Sequence, residues 1–109
     1  MTMTTPRLED EVLARASAVI KCLGHPLRLR LLEAMEKGDR TVTELQECTG
    51  ASQAVVSQQL SILRGRGVVA ASREGPYMYY HISEPKVHHI LDCIRECDLV
   101  RQGLAPLAS

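Results

Sequence analysis

"SQAVVSQQLSILRGRGVV", residues 52–69, joins a helical apolar stripe to a run of serines and glutamines and stops at two glycines that flank Arg66. Val55, Val56, Leu60 and Leu63 are expected to face a core, leaving Ser52, Gln53, Ala54, Ser57, Gln58 and Ser61 outward. A merely solvated helix face prefers Lys and Glu, yet the segment from Gly50 to Gly67 contains neither. Short hydrogen-bonding side chains suit base edges instead: Gln bonds adenine in bidentate fashion, and Ser reaches base or phosphate. The stretch therefore points to a helix that enters the major groove of double-stranded DNA. Gln53 and Gln58 are the base readers, and Ser57 and Arg66 are phosphate candidates.

The flanking sequence supplies the frame. Thr49, Gly50 and Ala51 form a tight turn before Ser52, which caps the helix. Upstream, Thr41 and Glu44 have capping-box spacing and open a short helix to about Cys48. Pro26 opens "PLRLRLLEAMEKG", closed by Gly38, and an earlier helix runs over 8–23 with Gly24 at its end. After Gly67 the period changes from helical to alternating. "VVAASRE" and "YMYYHIS" flank Gly75-Pro76, which predicts a β-hairpin over 68–82. Arg73 and Tyr77 beside its turn are expected to touch DNA backbone or minor groove, His81 is a further phosphate candidate, and Tyr79 is expected to pack inward. A last helix spans about 84–101, and the tail "GLAPLAS" is expected to fray. The fold class is mainly α with a hairpin wing, in the order α-α-α-α-β-β-α, with 41–64 as a helix-turn-helix.

Bulk properties bound this assignment. The chain has 109 residues, within the range of one domain spanning 1–109. Apolar residues make up 45% with no Trp or Phe, so the core is aliphatic, which suits packed helices. A domain this small gains buried area by dimerising. Formal net charge is zero, so nucleic-acid binding needs local asymmetry. Residues 51–82 carry Arg64, Arg66 and Arg73 against Glu74 alone, whereas 84–101 are net acidic. No apolar run approaches the roughly 20 residues of a membrane span, and "MTMTTPRLEDE" lacks a signal-peptide core; a cytoplasmic location and no membrane partner are expected. Cys22, Cys48, Cys93 and Cys97 are then reduced at rest, as thiols, ligands or redox switches.

The segments "LGHPLRLRLLEAM", "TVTELQECTGASQAVVSQQLSILRGRGVV" and "REGPYMYYHIS", over about residues 22–83, resemble the ArsR/SmtB family of metal- and thiol-responsive repressors. The resemblance implies a winged-helix homodimer whose first (8–24) and last (84–101) helices form the interface. It also implies an operator bound through residues 52–63 and released when an inducer engages cysteines or histidines. No cofactor is then needed for DNA binding, and no enzymatic activity is expected.

The family's usual sensing boxes are missing. Thr41 and Thr43 stand where the third-helix metal box has its two cysteines. In the last-helix zinc box, His88 would need partners at Leu99 and Gln102, neither of which ligates metal. The cysteine that persulfide sensors carry in the second helix is replaced near Glu33, though Cys97 lies near the second position. What remains is Cys93-x-x-x-Cys97, a spacing that places both thiols on one face of a regular helix. Thiolates favour soft ions, so arsenite or another thiophilic metal ion bound by Cys93 and Cys97 is one inducer chemistry. Cys22 is a third candidate thiolate, because the family packs the first helix on the last. A direct Cys93–Cys97 disulfide fits a regular helix poorly. Persulfide or redox sensing stays open through polysulfide bridging or a disulfide to Cys22, and a small organic effector stays open too. Cys48 is expected to be a small buried hydrophobe.

Overall fold

The computed structural model describes residues 5–102, so the tail at 103–109 lies outside the described residues. The elements are α1 (Asp10–Leu23), α2 (Pro26–Met35), α3 (Val42–Thr49), α4 (Gln53–Gly65), β1 (Val69–Glu74), β2 (Tyr77–Ile82), α5 (Lys86–Glu96) and a short α6 (Asp98–Arg101).

Local chemistry sets most of these boundaries. The His25 ring accepts the Leu27 N–H at 3.2 Å and Pro26 follows it, so α2 starts with one orphan donor filled and another removed. The capping box is complete: Thr41 Oγ1 accepts the Glu44 N–H at 3.2 Å, and Glu44 Oε1 accepts the Thr41 N–H at 2.9 Å. Gly50 ends α3 at φ 75°, a left-handed conformation that side chains disfavour, which turns the chain sharply into α4. In the hairpin, Val69 pairs with Ile82 and Glu74 with Tyr77. Gly75 sits at φ 62° and Pro76 cannot follow it there, which selects the II′-type connection suited to strand twist.

The core is a single cluster. Leu31, Leu32 and Met35 of α2 meet Leu45 of α3, Val56, Leu60 and Leu63 of α4, Val68 and Val69, and Val87 and Leu91 of α5, with Cys22 and Leu23 closing one end. The wing is tied to this body by reciprocal main-chain bonds between Arg40 and Tyr80, at 3.0 and 2.8 Å.

Four expectations change. Val55 is 39% exposed, because Val56, Leu60 and Leu63 already fill the face of α4 toward the core. Tyr80, not Tyr79, packs on the core: it shares a sheet face with Ile82 and with its partner Ala71, and that face covers α2 and α3. Cys48 is exposed, since α3 is short and buries only Leu45. Finally, the last helix is not continuous over 84–101. It breaks at Cys97, whose backbone is extended at φ −73°, ψ 116°.

Helix α1 is placed unlike the others. From Asp10 to Lys21 every residue is exposed, and only Cys22 and Leu23 enter the core. Leu8, Val12, Leu13, Val19 and Ile20 are left uncovered by this chain.

Candidate nucleic-acid interface

Helix α4 presents its polar face as a consequence of what it buries. With Val56, Leu60 and Leu63 at 1% exposure or less, Ser52, Gln53, Ala54, Ser57, Gln58 and Ser61 all stand in solvent. Val55 joins them as an apolar member suited to a thymine methyl group. Ser52 Oγ accepts the Val55 N–H at 3.3 Å, which leaves its hydroxyl proton for a phosphate oxygen. The N-terminal amides of α4 add partial positive charge at the same end.

Gln59 belongs to neither set. It lies about 60° from Val56 around the helix, at the margin of the buried stripe. Its Oε1 accepts from Arg28 Nε at 2.7 Å, so this glutamine is held inward. The alternation of apolar and polar residues contains no signal for that pairing, which joins positions 31 residues apart.

Arg66 caps the C-terminal end of α4, and 13 helical residues at 1.5 Å each put it about 20 Å from Ser52. It therefore lies at the opposite end of the helix from Gln53 and about 12 Å along it from Gln58. Arg73 and Tyr77 are both exposed at the wing tip, Tyr77 at 59%. Arg73 pairs with Met78 and Glu74 with Tyr77, which puts Arg73 and Tyr77 on opposite faces of the hairpin. His81 Nδ1 is buried without a hydrogen-bond partner, so that nitrogen is not available to a phosphate.

Charge is partitioned across the molecule. Among the described residues the ion pairs lie on α1, on α2 with its C-cap Glu36, and on α5: Arg15 with Glu11, Arg30 with Glu33 at 2.5 Å, and Arg95 with Glu33, Glu36 and Asp92. The hydrogen bond from Arg95, reinforced by its charge, holds the Glu36 carboxyl below its ordinary range. Arg64, Arg66 and Arg73 take part in none of these pairs and remain open to phosphates.

The thiols are placed as follows. Cys93 is exposed and Cys97 half-buried, and both line an open groove with His89, Asp92 and Glu96. Cys93 lies in α5 and Cys97 is its C-cap, with a helical φ of −73°, so the chain leaves the helix only after Cys97. Cys22 is buried and lines a different cleft, with Arg28, Ile62 and Arg66. Within one chain the three sulfurs are not gathered: α1 delivers Cys22 to the α2–α4 side of the core. Among the described residues no group of three His, Cys, Asp or Glu side chains is arranged to hold a metal ion.

A capped supporting helix, a sharp glycine turn, an exposed reading helix and a hairpin wing define a winged helix-turn-helix DNA-binding protein. Residues 25–71 match the family described as bacterial regulatory protein, arsR family. The HTH-type transcriptional regulator Rv0081 of Mycobacterium tuberculosis is 41% identical over 91 residues, covering 82% of this chain and 80% of the relative. Its crystal structure superposes with a TM-score of 0.75 at 37% identity, over 86% of this chain and 94% of that one. The biofilm growth-associated repressor of Xylella fastidiosa strain Temecula1 is 32% identical over 95 residues, 84% of this chain and 83% of the relative. The homodimeric winged helix-turn-helix domain Mb0332 of Mycobacterium bovis has a TM-score of 0.74 at 25% identity, over 94% and 97% of the two chains. The chain belongs to the ArsR family of bacterial transcriptional regulators, and these relatives are named as regulators, not enzymes. No helix among the described residues is long and apolar enough to cross a membrane.

Proposed function

We propose that the chain is a homodimeric, cytoplasmic repressor that reads its operator with Gln53 and Gln58, supported by Ala54, Val55, Ser57 and Ser61. The observation that carries this is the exposed face of α4, free of Lys and Glu, together with Arg64, Arg66 and Arg73, which pair with no carboxylate among the described residues. Ser52 and the N-terminus of α4 meet phosphate, and Arg73 and Tyr77 extend contact from the wing. Dimerisation covers Leu8 and the exposed apolar residues of α1, Val12, Leu13, Val19 and Ile20. The repressor named among the relatives and the homodimeric neighbour support both halves of this assignment. Two copies place two reading helices in successive major grooves, about 34 Å apart.

The inducer acts on Cys93 and Cys97. Both thiols open onto one solvent-accessible groove, where a thiophilic species such as arsenite has access to both. Binding there alters how the C-terminal segment packs and lowers affinity for the operator, provided that the inducer prefers the DNA-free form. The shared groove also admits a second chemistry, oxidation or persulfidation of the pair. A polysulfide bridge spans the two sulfurs without the geometry that a direct disulfide demands. DNA-binding titrations with arsenite, polysulfide and peroxide, each followed by intact mass, separate these chemistries. Cys93→Ser and Cys97→Ser are expected to keep operator binding and lose release, while Cys48→Ser stays inducible. Cys22→Ser tells a three-thiolate site from a two-thiol one. Full release of the Cys93/Cys97 double variant by all three reagents would remove these cysteines from sensing.

A further inference from the structure

We propose that Arg28 and Gln59 form a positioning clamp that fixes the reading helix α4 against the projecting helix α1, and through it the half-site spacing that the dimer accepts. The inference rests on the operator-reading role of α4 and on dimerisation through α1 given above. It assigns work to two residues outside the reading face.

The geometry is specific. From one guanidinium, Nε donates to Gln59 Oε1 at 2.7 Å and Nη1 donates to the Cys22 carbonyl at 2.8 Å. The Cys22 carbonyl is one of the four that a helix leaves without an internal partner at its C-terminus. Its neighbours are served by the main chain, Lys21 O by Gly24 N–H at 3.3 Å and Leu23 O by His25 N–H at 2.8 Å. Arg28 thus completes the end of α1 and places a cation where the helix dipole favours one. Because α1 is exposed from Asp10 to Lys21, its direction is set at this joint, by Cys22, Leu23 and the Arg28 bond. Otherwise α1 and α4 face each other across an open cleft lined by Ala18, Lys21, Ile62 and Arg66.

A planar guanidinium holds its donors in a fixed fork, so the two acceptors are fixed relative to each other. One acceptor belongs to the element that pairs the two copies, and the other follows the base reader Gln58 directly. The angle between them is what a dimer transmits into the distance between its two reading helices.

Full-length wild type, Arg28→Lys, Gln59→Met and the double variant test this. Lys keeps the charge without the fork, and Met keeps the volume without the acceptor. The DNA is a duplex selected in vitro by the wild type, the same duplex with one or two base pairs added between half-sites, and an isolated half-site. Each single variant is expected to bind the selected spacing about tenfold more weakly, the scale of one lost charge-assisted hydrogen bond. Its preference for that spacing over the lengthened duplexes flattens, while half-site affinity and dimerisation stay at wild-type values and the melting temperature falls only by the several degrees that one lost hydrogen bond costs the fold. The double variant is expected to lose no more than Arg28→Lys alone, because Gln59→Met then removes only an acceptor whose donor is already gone.

An unchanged spacing preference in Gln59→Met would overturn the clamp, and so would an equal loss on the half-site, which would make Gln59 a DNA contact. Should Arg28→Lys not fold, Gln59→Met, at a half-buried position, decides alone. A wild type that selects no duplex overturns the operator-reading role and the clamp together. One that selects a duplex without spacing preference overturns the clamp only.

Discussion

Ile20 gives the most quantitative test of the assembly. It is 68% exposed in the single chain, near the end of a helix whose apolar residues nothing in that chain covers. Replacement by Ala removes three carbons, each worth about 0.8 kcal/mol when fully buried. If dimerisation covers the exposed 68%, the loss is about 1.6 kcal/mol per copy and about 3 kcal/mol per dimer. That weakens the dimer by a factor on the order of a hundred. The remaining third of the side chain already packs within the chain, and Ala is the stronger helix former, so each monomer's stability should change by less than about 1 kcal/mol. Sedimentation equilibrium over a concentration series reads the dimer constant, and thermal melting of dilute samples reads the fold. Tyr77→Ala is the control, since Tyr77 is 59% exposed but lies on the wing. It should leave dimerisation alone. An Ile20→Ala dimer as tight as wild type would show that α1 is not the interface, and a parallel loss in Tyr77→Ala would show a non-specific effect.

Gln58→Ala should cost about 1–3 kcal/mol on the selected operator and little on random DNA; an equal loss on both removes its role as a base reader. Arg73→Ala should weaken binding across sequences and reduce the slope of log affinity against log salt by about 0.9, whereas an unchanged slope places the wing tip off the phosphates. Glu36→Gln probes the tie between α2 and α5. Arg95 depresses the folded-state pKa of Glu36 below its ordinary 4.5, so its stabilisation is present above that value and lost as pH falls through the folded value. The variant should melt below wild type at neutral pH and converge with it in acid, and a gap that persists in acid would point to packing instead of charge.

What could be read from the sequence is what depends on near neighbours along the chain. The Thr41/Glu44 box, the Ser52 cap, Pro26 at a first helical position and Gly75 in the hairpin act over three residues or fewer, so they place element boundaries before any packing exists. The buried stripe Val56, Leu60, Leu63 follows from helical period in the same way, and with it the outward set from Ser52 to Ser61. Two elements in that order followed by a hairpin were enough for the fold class, and the quoted segments for the family.

What only the tertiary structure decided lies at the margins of those stripes and across long separations. Period alone cannot say which edge residue is covered, since that depends on the element that arrives there. Hence Val55 turned out exposed, Tyr80 took the inward place expected of Tyr79, and Gln59 was drawn to an arginine 31 residues away. The sequence "IRECDLV" holds no Gly or Pro to announce the break at Cys97. Among the described side chains none beyond Leu91 is fully buried, so the helix loses the packing that sustains it. That break redirects the chain after Cys97, and Cys22 opens onto a different cleft from the other two thiols. Spacing in sequence could nominate the sulfurs, but which of them meet is a property of the packed body.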